Sequence, residues 1–215
     1  MVLTGNTPVK SLVITIHPKQ PLDGSHAGDP ALPPRQRIVA AARELFYRHG
    51  IRAVGVEAVA EAAGTNKMTL YRHFASKDEL VAECLREFGQ EVDAIWGGLA
   101  ASHPNDPRAQ LLAWLEMVAK RMRDPRDRGC ALINAAIELP DKDHPARQVV
   151  ETFKTSARAR LERLCGEAGL SQPATLADEL MLLVEGARVC AQSMGPTGLC
   201  DRVVSMGSAL IAAHS

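Results

Sequence analysis

The sequence predicts an all-α fold, a three-helix head followed by a larger helical body. Three observations predict it. From residue 34 onward, apolar residues recur at i, i+3, i+4, i+7 spacing, the period of one helix face. No stretch after residue 33 alternates apolar and polar residues over a useful strand length. Two short apolar-striped segments are joined by nothing longer than Gly64-Thr65, the spacing of a helix-turn-helix.

Residues 1–33 stand apart. They hold five of the 13 prolines (Pro8, Pro18, Pro21, Pro30, Pro33), and Asp23–Pro30 has linker composition, so a disordered arm is expected. Ser11–Ile16 has strand-like residues but no partner strand. Helical pattern starts at Pro34, tolerated in a first turn, runs through Ile38, Ala41, Ala42, Leu45, Phe46 and His49, and stops at Gly50. A second helix fits Val56–Ala63 and a third about Asn66–Phe74. A fourth begins at Ser76 with Glu79 three residues on, the capping-box pattern, and its stripe is Val81, Cys84, Leu85, Phe88, Val92, Ile95 and Trp96. Gly97-Gly98 and then Ser102–Pro107 are expected to break the chain, which divides it into an arm (1–33), a head (34–97) and a body (98–215). Body helices are expected near 107–123, 129–138, 144–168, 173–193 and 199–213, separated by Pro- and Gly-containing breaks. No fixed period repeats, which argues against a solenoid.

Composition narrows the function classes. The 215 residues are 46% hydrophobic and 23% charged, ordinary for a globular chain with a buried core. Apolar runs fall well short of the ~20 residues of a membrane span, and Leu12–Ile16 is too short for a signal-peptide core, so a cytoplasmic protein is expected. The five cysteines form no C-x-x-C pair and have no ligand spacing, so neither a disulfide scaffold nor a zinc site is expected, and no metal or cofactor is implied. Neither G-x-S-x-G, H-E-x-x-H, G-x-G-x-x-G nor a P-loop occurs, which leaves little for an all-helical enzyme.

Net charge is zero, from 25 basic and 25 acidic residues, which excludes a uniformly basic nucleic-acid coat. The charge is unevenly placed. Thr65–Lys77 contains Lys67, Arg72 and Lys77 with His73 and no acid, a formal +3, so the rest of the chain carries −3. Thr69, Tyr71 and Ser76 add hydroxyl donors, and N–H groups at the starts of the third and fourth helices add backbone ones. This is the chemistry of a helix that enters a major groove.

Residues 35–86 resemble the N-terminal DNA-binding domain of TetR-family transcriptional regulators. The resemblance rests on Ile38-x-x-Ala41-Ala42-x-x-Leu45-Phe46-x-x-x-Gly50, then Val59-Ala60-x-x-Ala63-Gly64, then Thr69-Leu70-Tyr71-Arg72-His73-Phe74-x-Ser76-Lys77-x-x-Leu80. It implies that Lys67, Met68 and Thr69 face the groove. It implies that Tyr71 and Arg72 touch a base edge, a thymine methyl or the backbone, and that His73 and Lys77 hold phosphates. Leu70 and Phe74 would be core. Two positions depart from the family pattern: Val54-Gly55-Val56 has no capping hydroxyl, and Glu57 stands where a basic residue is frequent.

The resemblance further implies a homodimeric repressor on palindromic double-stranded operator DNA, released by a small-molecule effector. The alternatives are a DNA-binding protein controlled by a protein partner, or an enzyme. Pocket candidates in the body are Trp114, Met117, Val118, Met122, Phe153 and Met181, with Asn134 as a polar anchor. Dimer-face candidates are Leu180, Leu183, Val184 and Ala187 in one helix and Val203, Met206 and Leu210 in the next. Cys130 is a candidate redox-sensing thiol, with Arg128 as the neighbour that lowers its pKa; an inert buried thiol is the alternative.

Overall fold

A computed structural model describes residues 31–215, so the expected arm and the strand-like segment within it lie almost wholly outside the described residues. Those residues form nine helices and no strand. The head comprises α1 (Pro34–His49), α2 (Val56–Ala62), α3 (Lys67–His73) and the first half of α4 (Lys77–Ser102). The body adds α5 (Pro107–Met122), α6 (Ala131–Glu138), α7 (Pro145–Glu167), α8 (Pro173–Met194) and α9 (Leu199–Ala213).

Local chemistry sets the helix ends. α1, α5, α7 and α8 each begin with proline, whose missing N–H is lost at no cost in a first turn. Asn66 caps α3 by accepting from the Thr69 N–H at 2.9 Å. Ser76 caps α4 by accepting from the Glu79 N–H at 3.1 Å, and the Glu79 carboxylate reaches back to the Ala75 N–H at 2.7 Å. The head's tight turn is a Schellman closure: the Thr65 N–H reaches the Ala60 carbonyl and the Gly64 N–H the Glu61 carbonyl, both at 2.9 Å. It needs Gly64 at φ +59°, a conformation that costs side-chain-bearing residues energy.

Among the described residues two apolar clusters form the core, and α4 belongs to both. Its N-terminal half packs Leu80, Val81 and Leu85 with Ile38, Phe46, Leu70 and Phe74 of the head. Its C-terminal half packs Ile95, Trp96 and Leu99 with Leu111, Leu115, Leu161 and Leu180 of the body. Trp96 and Trp114 stack with centroids 5.6 Å apart. The head cluster also takes Cys130, Leu132 and Ala135 from the α6 region and Val150 from α7, so the body grips the head directly.

Gly97-Gly98 does not break the chain. α4 continues through both glycines to Ser102. Each costs a helix roughly 1 kcal/mol relative to alanine, and burial of Ile95, Trp96 and Leu99 around them outweighs that cost. Three dimer-face candidates are also corrected. Leu180, Val184 and Val203 are 0%, 3% and 1% exposed, inside the subunit's own core. α8 is apolar on more than one side, and α7 and α9 claim the side that carries Leu180 and Val184.

Candidate nucleic-acid interface

The third helix has two faces with different fates. Leu70 and Phe74 are fully buried, in the cluster α3 shares with α1, α2 and the start of α4. Their neighbours Lys67, Met68, Tyr71, Arg72 and His73 are exposed, Met68 at 78% and Tyr71 at 43%. An exposed methionine and tyrosine at adjacent turns, flanked by cations, form an apolar strip within a positive surface. That combination suits a groove lined by thymine methyls and phosphates.

The cations are not equivalent. The Lys67 ammonium lies 2.6 Å from Glu57 Oε1 on α2 and 5.9 Å from the Tyr71 ring centroid. This hydrogen bond holds the Lys67 pKa above its usual range and the Glu57 carboxyl below its own. The acid that departs from the family pattern therefore restrains the first basic residue of the helix. Arg72 donates to the Thr69 hydroxyl at 2.8 Å, one turn back, and Thr69 is half-buried. His73 ends the helix, exposed.

Lys77 is placed differently from its sequence neighbours. Its ammonium donates to the Ile51 carbonyl at 2.5 Å and sits 5.8 Å from the Phe46 ring centroid, half-buried. It fastens the start of α4 to the loop after α1 instead of standing free in the basic surface. The N–H groups of Thr69 and Glu79 are likewise taken by the capping side chains of Asn66 and Ser76. Arg37, which sequence reasoning did not single out, has a guanidinium nitrogen 3.6 Å from where a Gly64 Cβ would stand, beside the turn. Only the packing of α1 across the turn puts it there.

The body's candidate pocket residues separate into two places. Trp114, Met117, Val118, Met122, Phe153 and Met181 do converge, on a cavity of only about 80 Å³, and Met122 also borders a second, larger one. Asn134 does not join them. It lines a cavity of about 620 Å³ between head and body and donates to the Arg128 carbonyl at 2.9 Å. Cys130, 6% exposed, has Lys154 as its cationic neighbour, 3.6 Å away, not Arg128, whose side chain is exposed. Lys154 is itself ion-paired with Glu185. Among the described residues no group of His, Cys, Asp and Glu is placed to hold a metal, and no helix is long and apolar enough to cross a membrane.

Comparison with known proteins covers both halves in order. Residues 38–84 match the model of bacterial regulatory proteins of the tetR family, and residues 107–206 match the tetracyclin repressor-like C-terminal domain. The chain is 26% identical over 152 residues to the HTH-type transcriptional regulator YjdC of Escherichia coli, covering 71% of this chain and 80% of that protein. A TetR-family regulator from Streptomyces coelicolor superposes with a TM-score of 0.80 at 26% identity, over 85% of this chain and 96% of its own. A putative TetR transcriptional regulator from Streptomyces avermitilis superposes with a TM-score of 0.76 at 34% identity, over 85% of this chain and 98% of its own. Family models matched in order over head and body, together with a regulator at 34% identity covered to 98% of its length, show that the chain belongs to the TetR family of DNA-binding transcriptional regulators.

Proposed function

We propose that the protein is a homodimeric repressor that binds a palindromic operator and is released by a small-molecule effector. In this reading the head, α1 to the first half of α4, reads DNA, the helical body dimerises and receives the effector, and α4 joins them. The observation that carries it is the split character of α3: Leu70 and Phe74 anchor the helix, and Lys67, Met68, Thr69, Tyr71, Arg72 and His73 are left on or beside the free face. Met68 and Tyr71 supply apolar contact to bases, and Lys67, Arg72 and His73 engage phosphates or base edges. Lys77 acts mainly by fixing α4 to the loop after α1, which sets the height of α3 above the groove.

The dimer is assigned to the outer faces of α8 and α9. Leu182, Val189 and Met206 are 75%, 56% and 53% exposed, and Leu183, Ala187 and Leu210 lie half-buried beside them. An apolar stripe of this kind on two adjacent helices suits an isologous four-helix contact. Hydroxyl-radical footprinting on DNA from the gene's own upstream region tests the reading. Two protected patches on one face, separated by about 10 base pairs or a multiple, are expected. A single unpaired patch, or uniform protection, contradicts it.

A further inference from the structure

A large cavity lies where head and body meet, outside the body core. At about 620 Å³ it is the size that small-molecule sites take, whereas the body-core cavity of about 80 Å³ is too small for a drug-sized ligand. Its floor is apolar, with Phe46 from α1, Leu85 and Phe88 from α4 and Ala135 from α6. Its charged lining is biased. Glu44, Glu91, Asp124, Asp127 and Glu138 contribute five carboxylates against three guanidinium groups.

Two of those guanidinium groups are already engaged. Arg43 pairs with Glu91 at 2.6 Å and Glu87 at 3.4 Å, and Arg121 lies 3.9 Å from Asp127 and 6.0 Å from the Phe88 ring centroid. Glu138 is different. Half-buried at the cavity edge, its carboxylate accepts one hydrogen bond, from the Arg52 backbone N–H at 3.0 Å, and has no ion pair among the described residues. A partly desolvated carboxylate with one neutral donor is left short of a cation. Ile137, 74% exposed, forms the rim beside it.

Two links between head and body border this space. One is Tyr47 on α1, whose hydroxyl accepts from the Arg128 N–H at 2.7 Å and donates to Asp127 Oδ1 at 2.9 Å. The other is the Glu138 bond to Arg52. A ligand lodged between them bears on the position of the head directly, through α1, with no relay through the body core.

We propose that this junction cavity is the effector site and that its ligand is an amphipathic cation: an apolar, aromatic body carrying one protonated amine or quaternary nitrogen, with the charge seated at Glu138. The site and the ligand class stand on the cavity alone; the word effector rests on the repressor reading above.

Calorimetric titration of the full-length protein with 4-phenylbutylamine and 5-phenylpentanoate tests it, because the two share an apolar body and carry opposite charge. The amine is expected to bind once per chain and about tenfold tighter than the carboxylate. Glu138→Gln, which keeps the side chain's shape, and Ile137→Arg, at an exposed rim position, are each expected to weaken the amine by about tenfold. Ala157→Leu, which narrows the smaller cavity, leaves it unchanged. Equal or tighter binding of the carboxylate overturns the proposal, as does an affinity that follows Ala157→Leu and ignores Glu138→Gln. In a second arm the amine is expected to weaken upstream-DNA binding by the wild type and not by Glu138→Gln. Absence of DNA binding altogether counts against the repressor reading and leaves the amine titration standing.

Discussion

At the scale of single residues, neighbours on α3 have separate duties. Leu70 is fully buried and Tyr71 is half-exposed. Leu70→Ala should cost about 2–5 kcal/mol of unfolding free energy, read from a urea midpoint. Tyr71→Ala should leave that midpoint nearly unchanged and weaken DNA binding by about 1–3 kcal/mol in an anisotropy titration. Glu57 gives a prediction of opposite sign. Its carboxylate restrains the Lys67 ammonium at 2.6 Å. Glu57→Gln removes a negative charge from the edge proposed to face DNA and frees the lysine, so affinity should rise and the salt dependence steepen. Unchanged or weaker binding would show that the pair does not face DNA. The exposed cations of α3 were readable from the sequence because they sit on one short helix. The role of Lys77 was not, because its partner is the carbonyl of Ile51, 26 residues away.

At the scale of elements, most helix limits were legible because local chemistry sets them. Proline in the first turn, the caps Asn66 and Ser76, and glycines at positive φ mark ends that the sequence displays. Where tertiary packing decides, the local signal fails. Gly97-Gly98 reads as a break, yet the buried residues around it keep α4 helical. The two situations predict opposite responses to the same substitution. Gly64→Ala places a Cβ at φ +59° in the head's turn and should lower stability by about 1 kcal/mol or more. Gly97→Ala should raise it by about 0.5–1 kcal/mol, because a Cβ there meets nothing within 4 Å. Thermal unfolding of the two variants beside the parent separates them, and a shift of both in the same direction would refute the distinction.

At the scale of the whole molecule, the proposed dimer joins two heads through the outer faces of α8 and α9. The sequence showed that α8 and α9 are apolar but not which side faces inward, since that depends on where α7 and α5 lie. The junction cavity was equally hidden, because its walls come from segments between Ala40 and Pro196. Leu182→Glu, at a position 75% exposed, should halve the mass in sedimentation while leaving helical content intact. Leu180→Glu, at a position 0% exposed, should unfold the subunit instead. A dimer that persists in Leu182→Glu would move the interface elsewhere. The central claim, that α3 of each subunit meets the phosphate backbone, is tested most directly by titrating the full-length protein onto upstream DNA at increasing salt. Each neutralised phosphate contributes about −0.9 to the log–log slope. Two copies each of Lys67 and Arg72 therefore predict a slope of about −3 to −4, reduced in Lys67→Ala and Arg72→Ala. A slope near zero, or one that neither substitution changes, would contradict it.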